Sequence, residues 1–495
     1  MKNQVQLITY ADRLSGAGLT ELTQLLDGPL AGLFGGVHIL PFYYPIDGSD
    51  AGFDPIDHSE VDKRLGNWAS VKTLGERFEV MADLIVNHAS AQSPEFQDVL
   101  KHGEQSPYWP LFLKEQDIFP GGISDEQAQA IFRPRPTSCF TPKKLQNGET
   151  VNFWTTFTDN QVDINVETPQ GKAYLDKILT LFAQNNVKII RLDAAGYAIK
   201  RAGTSCFMTP ESFDFINQLS RQANALGMET IAEIHSHYQT QIDVASKVDR
   251  VYDFALPPLI LHALFSNNAD PLLCWLQQSP RNCLTVLDTH DGIGIVDAGP
   301  DGDKPGLLNA QQIDTLVETI HANSRGESKQ ATGAAASNVD LYQVNCTYYD
   351  ALGRSDLDYL IARAIQFFSP GVPQVYYGGL LALHNDMALL ENTNVGRDIN
   401  RSYLNEQQVE DALSKPVVKC LCKLIELRNH SSAFDGEFVI TGSEEAFSLQ
   451  WRNQDARAQL QVNLTTREAH ITLQEPGRIK YLSLSDLLHN LEKLK

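Results

Sequence analysis

Eight short apolar stretches recur along the chain, each of a length suited to one buried strand: "VQLITY" (5–10), "GVHILPFY" (36–43), "EVMADLIVNH" (79–88), "VKIIRLDA" (187–194), "ETIAEIH" (229–235), "RVYDFAL" (250–256), "CLTVLDTHD" (283–291) and "GVPQVYY" (371–377). Amphipathic helical patterns lie between several of them. Thr168–Pro169 is an N-cap and first-turn pair, followed by Tyr174, Leu175, Ile178, Leu179 and Phe182 at helical spacing. Thr209–Pro210 opens a second helix carrying Phe213, Ile216, Leu219 and Ala223. Near-continuous apolar strands alternating with helices require a parallel sheet covered on its faces. Eight strands fit a (β/α)8 barrel better than an open doubly wound sheet, although spacing alone leaves both standing.

Two intervals are too long for simple strand-to-helix connections: 89–166, rich in aromatics and prolines, and 292–355, with the small-residue run "HANSRGESKQATGAAASNVDLYQ". After about Asp435 the pattern changes to alternation ("FVITGS", "AFSLQWRN", "AQLQVNL", "HITLQ"), which reads as an antiparallel β domain. The expected architecture is α/β: a TIM barrel with two inserted loop-rich subdomains and a C-terminal β domain. Barrel segments are expected at 1–88, 167–291 and 356–434, insertions at 89–166 and 292–355, and the β domain at 435–495.

At 495 residues the chain is too long for one compact core, and 42% apolar content suits a globular protein. A formal charge of -21 argues against nucleic acid and anionic membrane surfaces as partners. An anionic ligand would need a local cationic pocket within that repelling field. The seven cysteines are scattered and odd in number, which reads as free thiols in a reducing compartment. No signal-peptide pattern and no long apolar run stands out, so the expected location is the cytoplasm.

A (β/α)8 barrel carries its chemistry where the strands end and the loops converge. Strand three ends in Asn87–His88, strand four in Arg191 and Asp193, strand five in Glu233 and His235, and strand seven in Asp288, His290 and Asp291. A lone aspartate in such a place reads first as a helix N-cap. Four strand ends bearing carboxylates, histidines and an arginine ask for function, because burying so many ionisable groups costs stability. Arg191 and Asp193, two apart on an extended strand, share a face.

The segments "ADLIVNH", "IIRLDAAGY", "IAEIH" and "LDTHD", in this order, resemble the alpha-amylase family of glycoside hydrolases. The resemblance implies that Asp193 is the nucleophile, Glu233 the general acid/base and Asp291 the transition-state stabiliser, with His88, Arg191 and His290 in the sugar subsite. Asp288 competes for the third role; Asp291 is preferred because it follows His290. Arg191 is expected to keep Asp193 ionised. Asn87 lies where calcium-binding members place a ligand, but the sequence offers it no adequate set of partners, so no metal and no cofactor are expected.

The insertions narrow the resemblance. "RPRP", "GTSCFMTP", "VLDTHDGIGI", "GAAASN" followed by "DLYQ", and "GRDINR" are similar to the phosphorylases of this family over nearly the full length. They imply reversible transfer of glucose from sucrose to phosphate, giving glucose 1-phosphate and fructose. Asp50, Arg397 and Phe53 would bind the glucosyl unit, and Arg135, Tyr342 and His235 the phosphate. Gln161, Tyr197, Asp340 and Gln343 would stand on the acceptor side. Of the basic residues near "RPRP", Lys143 and Lys144 read as a solvated loop, whereas Arg135 between prolines reads as an anion site. The small residues of the 321–345 loop suggest that it rearranges between sugar and phosphate steps. Phosphorylases of sucrose 6'-phosphate, glucosylglycerol or glucosylglycerate, a sucrose or alpha-glucoside hydrolase, and a non-catalytic binding relative remain as alternatives. The oligomeric state is open, a homodimer included.

Overall fold

The computed structural model describes residues 1–48, 50–134, 137–332 and 343–489. Eight parallel strands close into a barrel: β1 (Gln6–Thr9), β2 (Gly36–Ile39), β3 (Glu79–Ile85), β4 (Val187–Asp193), β5 (Glu229–Ala232), β6 (Arg250–Asp253), β7 (Cys283–Thr285) and β8 (Val372–Tyr376). Each strand lies beside its neighbours in sequence, and β8 closes the ring against β1, with Gln6 opposite Gln374. These are the eight apolar stretches of the sequence.

The strands end earlier than their apolar patterns do. β2 stops at Ile39, two residues before Pro41, which has no N–H to give a ladder. β7 stops at Thr285, yet Val286 and Leu287 stay buried as the chain turns over the barrel mouth. Burial therefore continues past the last ladder bond, and a sequence pattern that reports burial overruns the strand.

The interior of the barrel is layered. Met81, Ile189, Ile231, Tyr252, Phe254, Leu284 and Val286 form one apolar cluster. On β4, Ile189, Arg191 and Asp193 succeed one another on one face, so this strand passes from apolar layer to charged mouth in two steps. Helix α1 (Pro169–Gln184) is capped by Thr168 Oγ1, which accepts from Gly171 N at 3.1 Å, and buries Leu175, Ile178, Leu179 and Phe182 against the sheet. Helix α2 (Pro210–Ala225) repeats the device with Thr209 and Ser212 N at 3.3 Å, burying Ile216, Leu219 and Ala223.

The first long interval has more regular structure than its sequence suggests. Phe140–Lys144 pairs with Thr150–Trp154, His88–Ser90 pairs with Gln161–Asp163, and Leu113, Phe119, Ile131, Cys139 and Trp154 pack a small core with Cys206. In the second interval the helix Ala310–Asn323 buries Leu316 and Ile320. The C-terminal strands β9 (Glu437–Gly442), β10 (Ala446–Asn453), β11 (Ala456–Asn463), β12 (Glu468–Glu475) and β13 (Arg478–Ser483) form an antiparallel sheet in sequence order. That sheet is tied to the barrel through Trp451, whose Nε1 donates to the Phe368 carbonyl at 2.8 Å.

Candidate active site

The carboxylates gather around one arginine. Arg191 Nη1 donates to Asp83 Oδ1 at 2.6 Å and to Asp193 Oδ1 at 2.9 Å, and its Nη2 lies 3.6 Å from Glu233 Oε1. Behind it, Asp83 Oδ2 is 2.8 Å from His38 Nε2, both side chains being fully buried. Burial would raise Asp83, but His38 and then Arg191 outweigh it and hold the carboxyl at about 2. Asp193 behaves differently: burial, reinforced by nearby Glu233, pushes it well above the usual carboxylate range against the pull of Arg191. Arg191 is thus divided among several anions, with its short bonds to Asp83 and Asp193 and a longer approach to Glu233. The direct bond from Arg191 stabilises negative charge on Asp193 rather than on its partner.

Asp291 stands across the cavity and is firmly anionic. Burial opposes this, but the guanidinium groups of Arg397 at 2.7 Å and Arg401 at 3.6 Å hold its carboxyl far below the usual range. Arg401 is buried and donates through Nε to the His290 carbonyl at 2.7 Å, fixing the same turn. Asp288 is separated from this site: Arg363 Nη2 holds its two oxygens at 2.8 and 2.7 Å in the protein interior. The structure places Asp291, not Asp288, on the cavity wall.

The cavity has a volume of about 840 Å³ and is lined by Asp50, Phe53, His88, Gln161, Arg191, Asp193, Tyr197, Glu233, His235, His290, Asp291 and Arg397. Phe53 lies flat on His290, ring centroids 5.0 Å apart at 8°. Burial drives His290 well below the usual histidine value and lowers His88 as well, so both rings are neutral at pH 7. His88 Nε2 is 2.9 Å from the Phe53 carbonyl oxygen, and Gln161 Nε2 donates to Asp50 Oδ2 at 3.5 Å. The Asp50 turn is held in place by Asp54, which accepts from Asp50 N at 3.2 Å and from Asn160 Nδ2 at 2.9 Å.

Nearer the opening, Tyr197 packs on Phe207 (4.6 Å) and Phe157 (5.2 Å), and Phe132 stacks on Phe207 with 43% of its surface exposed. Gln343 accepts through Oε1 from Gly292 N at 3.2 Å and Arg397 Nη2 at 3.4 Å, while its Nε2 lies 3.2 Å from His235 Nε2. Arg135, Asp340 and Tyr342 lie outside the described residues, as does most of the 333–345 part of the second insertion. The aromatic wall of Phe132, Phe157 and Phe207 and the supports Arg401, Asp83 and His38 were not singled out in the sequence. Asp83 stood within "ADLIVNH" two residues from the strand end, Phe207 within "GTSCFMTP" and Arg401 within "GRDINR", but none of these segments showed which distant residues they would meet.

Asn87 has a partner that its position did not reveal. Lys200 Nζ donates to Asn87 Oδ1 at 2.9 Å and to the Tyr197 carbonyl, and lies 2.7 Å from Asp163 Oδ2, all within the interior. An ammonium therefore sits among the oxygens that a hard cation would want. Among the described residues, one group of ligand atoms able to hold a metal lies within 4.8 Å, from Glu233, His235 and Asp291. Arg191 and Arg397 already neutralise those carboxylates.

A closed (β/α)8 barrel with three acids at its mouth and an attached antiparallel sheet defines a class of sugar-processing enzymes, and the comparisons agree. The family description "Alpha amylase, catalytic domain" matches residues 32–257. The chain is 57% identical to the sucrose phosphorylase of Agrobacterium vitis over 95% of this chain and 97% of that one. It is 52% identical to the sucrose phosphorylase of Bifidobacterium adolescentis over 93% and 92%. The crystal structure of sucrose 6F-phosphate phosphorylase from Thermoanaerobacter thermosaccharolyticum superimposes with a TM-score of 0.89 at 37% identity, covering 97% of this chain and 98% of that one. The chain carries an alpha-amylase catalytic domain over 32–257 and belongs to the family of sucrose phosphorylases and kindred phosphorylases. Among the described residues no helix is long and apolar enough to cross a membrane.

Proposed function

We propose that this chain is a retaining sucrose phosphorylase, transferring glucose from sucrose to inorganic phosphate to give alpha-D-glucose 1-phosphate and D-fructose. The carrying observation is the pair Asp193 and Glu233 sharing one arginine, with Arg191 bonded directly to Asp193. Two displacements at one carbon need one ionised and one protonated carboxyl side by side. Glu233 protonates the fructosyl oxygen as the glycosidic bond breaks, and Asp193 forms a bond to the anomeric carbon, giving a covalent β-glucosyl ester. Phosphate enters from the face fructose has left. Glu233 accepts its proton as the new C–O bond forms, the ester breaks and the alpha configuration returns. Asp291, kept anionic by two arginines, faces the positive charge that develops on the sugar ring in both steps.

Asp50, Phe53, His88, Arg191, His290 and Arg397 make the glucosyl subsite, with Phe53 offering an apolar face to the ring; Gln161, expected on the acceptor side, reaches Asp50 at 3.5 Å and so borders this subsite as well. Tyr197, Gln343 and Asp340 receive fructose, and Arg135, Tyr342 and His235 receive phosphate. The test is incubation with sucrose, with and without phosphate, following glucose 1-phosphate, glucose and fructose separately. Glucose 1-phosphate matching fructose supports the reading; equal glucose and fructose, indifferent to phosphate, would make the chain a hydrolase. Arg135→Ala is expected to raise the KM for phosphate about tenfold or more, in line with the loss of a charge-assisted bond. Fructose release in single turnovers should stay near wild type. Unchanged phosphate kinetics would remove Arg135 from the site.

A further inference from the structure

His235 has a built support that the reaction above leaves unused. The ring lies on Phe254 with centroids 3.8 Å apart, and its Nδ1 is 3.2 Å from Asp297 Oδ2. Asp297 is wholly buried, and its Oδ1 accepts from Ser236 N at 3.1 Å and Gln241 Nε2 at 3.0 Å. The backbone leaves space for the contact: a Cβ on Gly294 would fall 2.5 Å from Asp297 Oδ2. With Nδ1 committed to a carboxylate, Nε2 faces the reaction, 3.6 Å from Glu233 Oε1. Gln343 Nε2, its amide orientation set by Gly292 N and Arg397 at the other end, donates to that nitrogen at 3.2 Å when His235 is neutral.

We infer, resting on the phosphorylase reading, that Asp297 is a positioning residue for the phosphate step: it fixes a proton on His235 Nδ1, aims Nε2 at Glu233 and the acceptor space, and lets that nitrogen carry a second proton when an anion fills the space. A carboxylate behind an imidazole does both jobs, setting the tautomer and stabilising the imidazolium. Among the described residues, the charged groups facing His235 include Asp297 from the loop after β7, Glu233 from its own strand end, and Asp291. Burial lowers the imidazole, but Asp297 and then Glu233 and Asp291 outweigh it, so His235 titrates above the usual histidine value. The neutral ring suits a sugar acceptor held with Gln343; the cation suits phosphate.

The test uses Asp297→Asn. Its Oδ1 would keep Ser236 and Gln241, so the new amide N–H₂ would face Nδ1 and force the proton onto Nε2, the wrong tautomer. The ratio of phosphorolysis to hydrolysis is expected to fall tenfold or more, and the alkaline limb of kcat/KM for phosphate to move to lower pH; phosphate's own titration is common to both proteins. In a His235→Gln background the same change should have no further effect on the ratio. A wild-type ratio and alkaline limb in Asp297→Asn would overturn the inference. If that variant fails to fold, His235→Gln decides: it should abolish the fall of the ratio with rising pH, and an unaltered profile would overturn the inference equally. Wild-type enzyme that forms no glucose 1-phosphate at any phosphate concentration would instead refute the phosphorylase reading.

Discussion

Arg191 serves three carboxylates with one guanidinium, and its unequal contacts separate the two acids that sucrose would meet. Asp193→Ala is expected to slow fructose release from sucrose by about 10³-fold or more. Glu233→Gln should lose about 10²–10⁴-fold on sucrose yet still load glucose from alpha-glucosyl fluoride, whose leaving group needs no proton. Equal losses on both donors would take the acid role from Glu233. Asp288 and Asp291 make a second contrast three residues apart. Asp291→Asn should keep the fold and lose transfer about 10²–10³-fold. Asp288→Asn would leave Arg363 buried without its anion and cost about 3–5 kcal/mol of stability, read as a lowered thermal midpoint with residual activity in the folded fraction. If both variants lost activity without losing stability, the structural assignment of Asp288 would fall.

At the scale of elements, the sequence was most legible where burial is two-sided. Parallel strands wrapped by helices leave near-continuous apolar runs, and all eight were readable; the Thr–Pro pairs at 168 and 209 marked helix starts because capping is local chemistry. Polar residues at strand ends located the mouth for the same reason, since a charge interrupting a buried run has to be explained. Contacts between residues far apart in sequence were not readable. Lys200 finds Asn87 and Asp163, Arg401 finds Asp291, and although Arg401 ends the "GRDINR" segment, nothing near either basic residue in sequence names its partner. The aromatic wall stayed hidden because Phe132 and Phe207 meet only after the first insertion folds back on the loop before α2. Lys200 also joins that insertion to the barrel. Lys200→Met would leave Asp163 buried without a cation and is expected to cost about 3–5 kcal/mol, seen as a lower thermal midpoint and faster proteolysis within 89–166. A midpoint equal to wild type would show that the ammonium is dispensable there.

For the whole molecule, a formal charge of -21 works against any anion that approaches. Asp243, Asp301 and Asp314 line the cavity against the exposed cation Arg133, while Arg191 and Arg397 are engaged with carboxylates. In the synthetic direction from glucose 1-phosphate, fructose 6-phosphate is therefore expected to be at least about tenfold poorer than fructose as acceptor in kcat/KM, with added salt narrowing the gap. A preference for the phosphorylated sugar would point to cationic groups that outweigh this rim. The ring closure of β1 on β8 has a bearing on how the protein is made. A ribosome delivers β1 first and its partner Val372–Tyr376 only when most of the chain is out, so the growing polypeptide carries two unpaired sheet edges for much of its synthesis. Asp291 and Arg397 also emerge late, on either side of that closing event. Translation stalled before Tyr376 should therefore yield no partly working enzyme but a sticky open sheet, the form on which chaperones and proteases would act first.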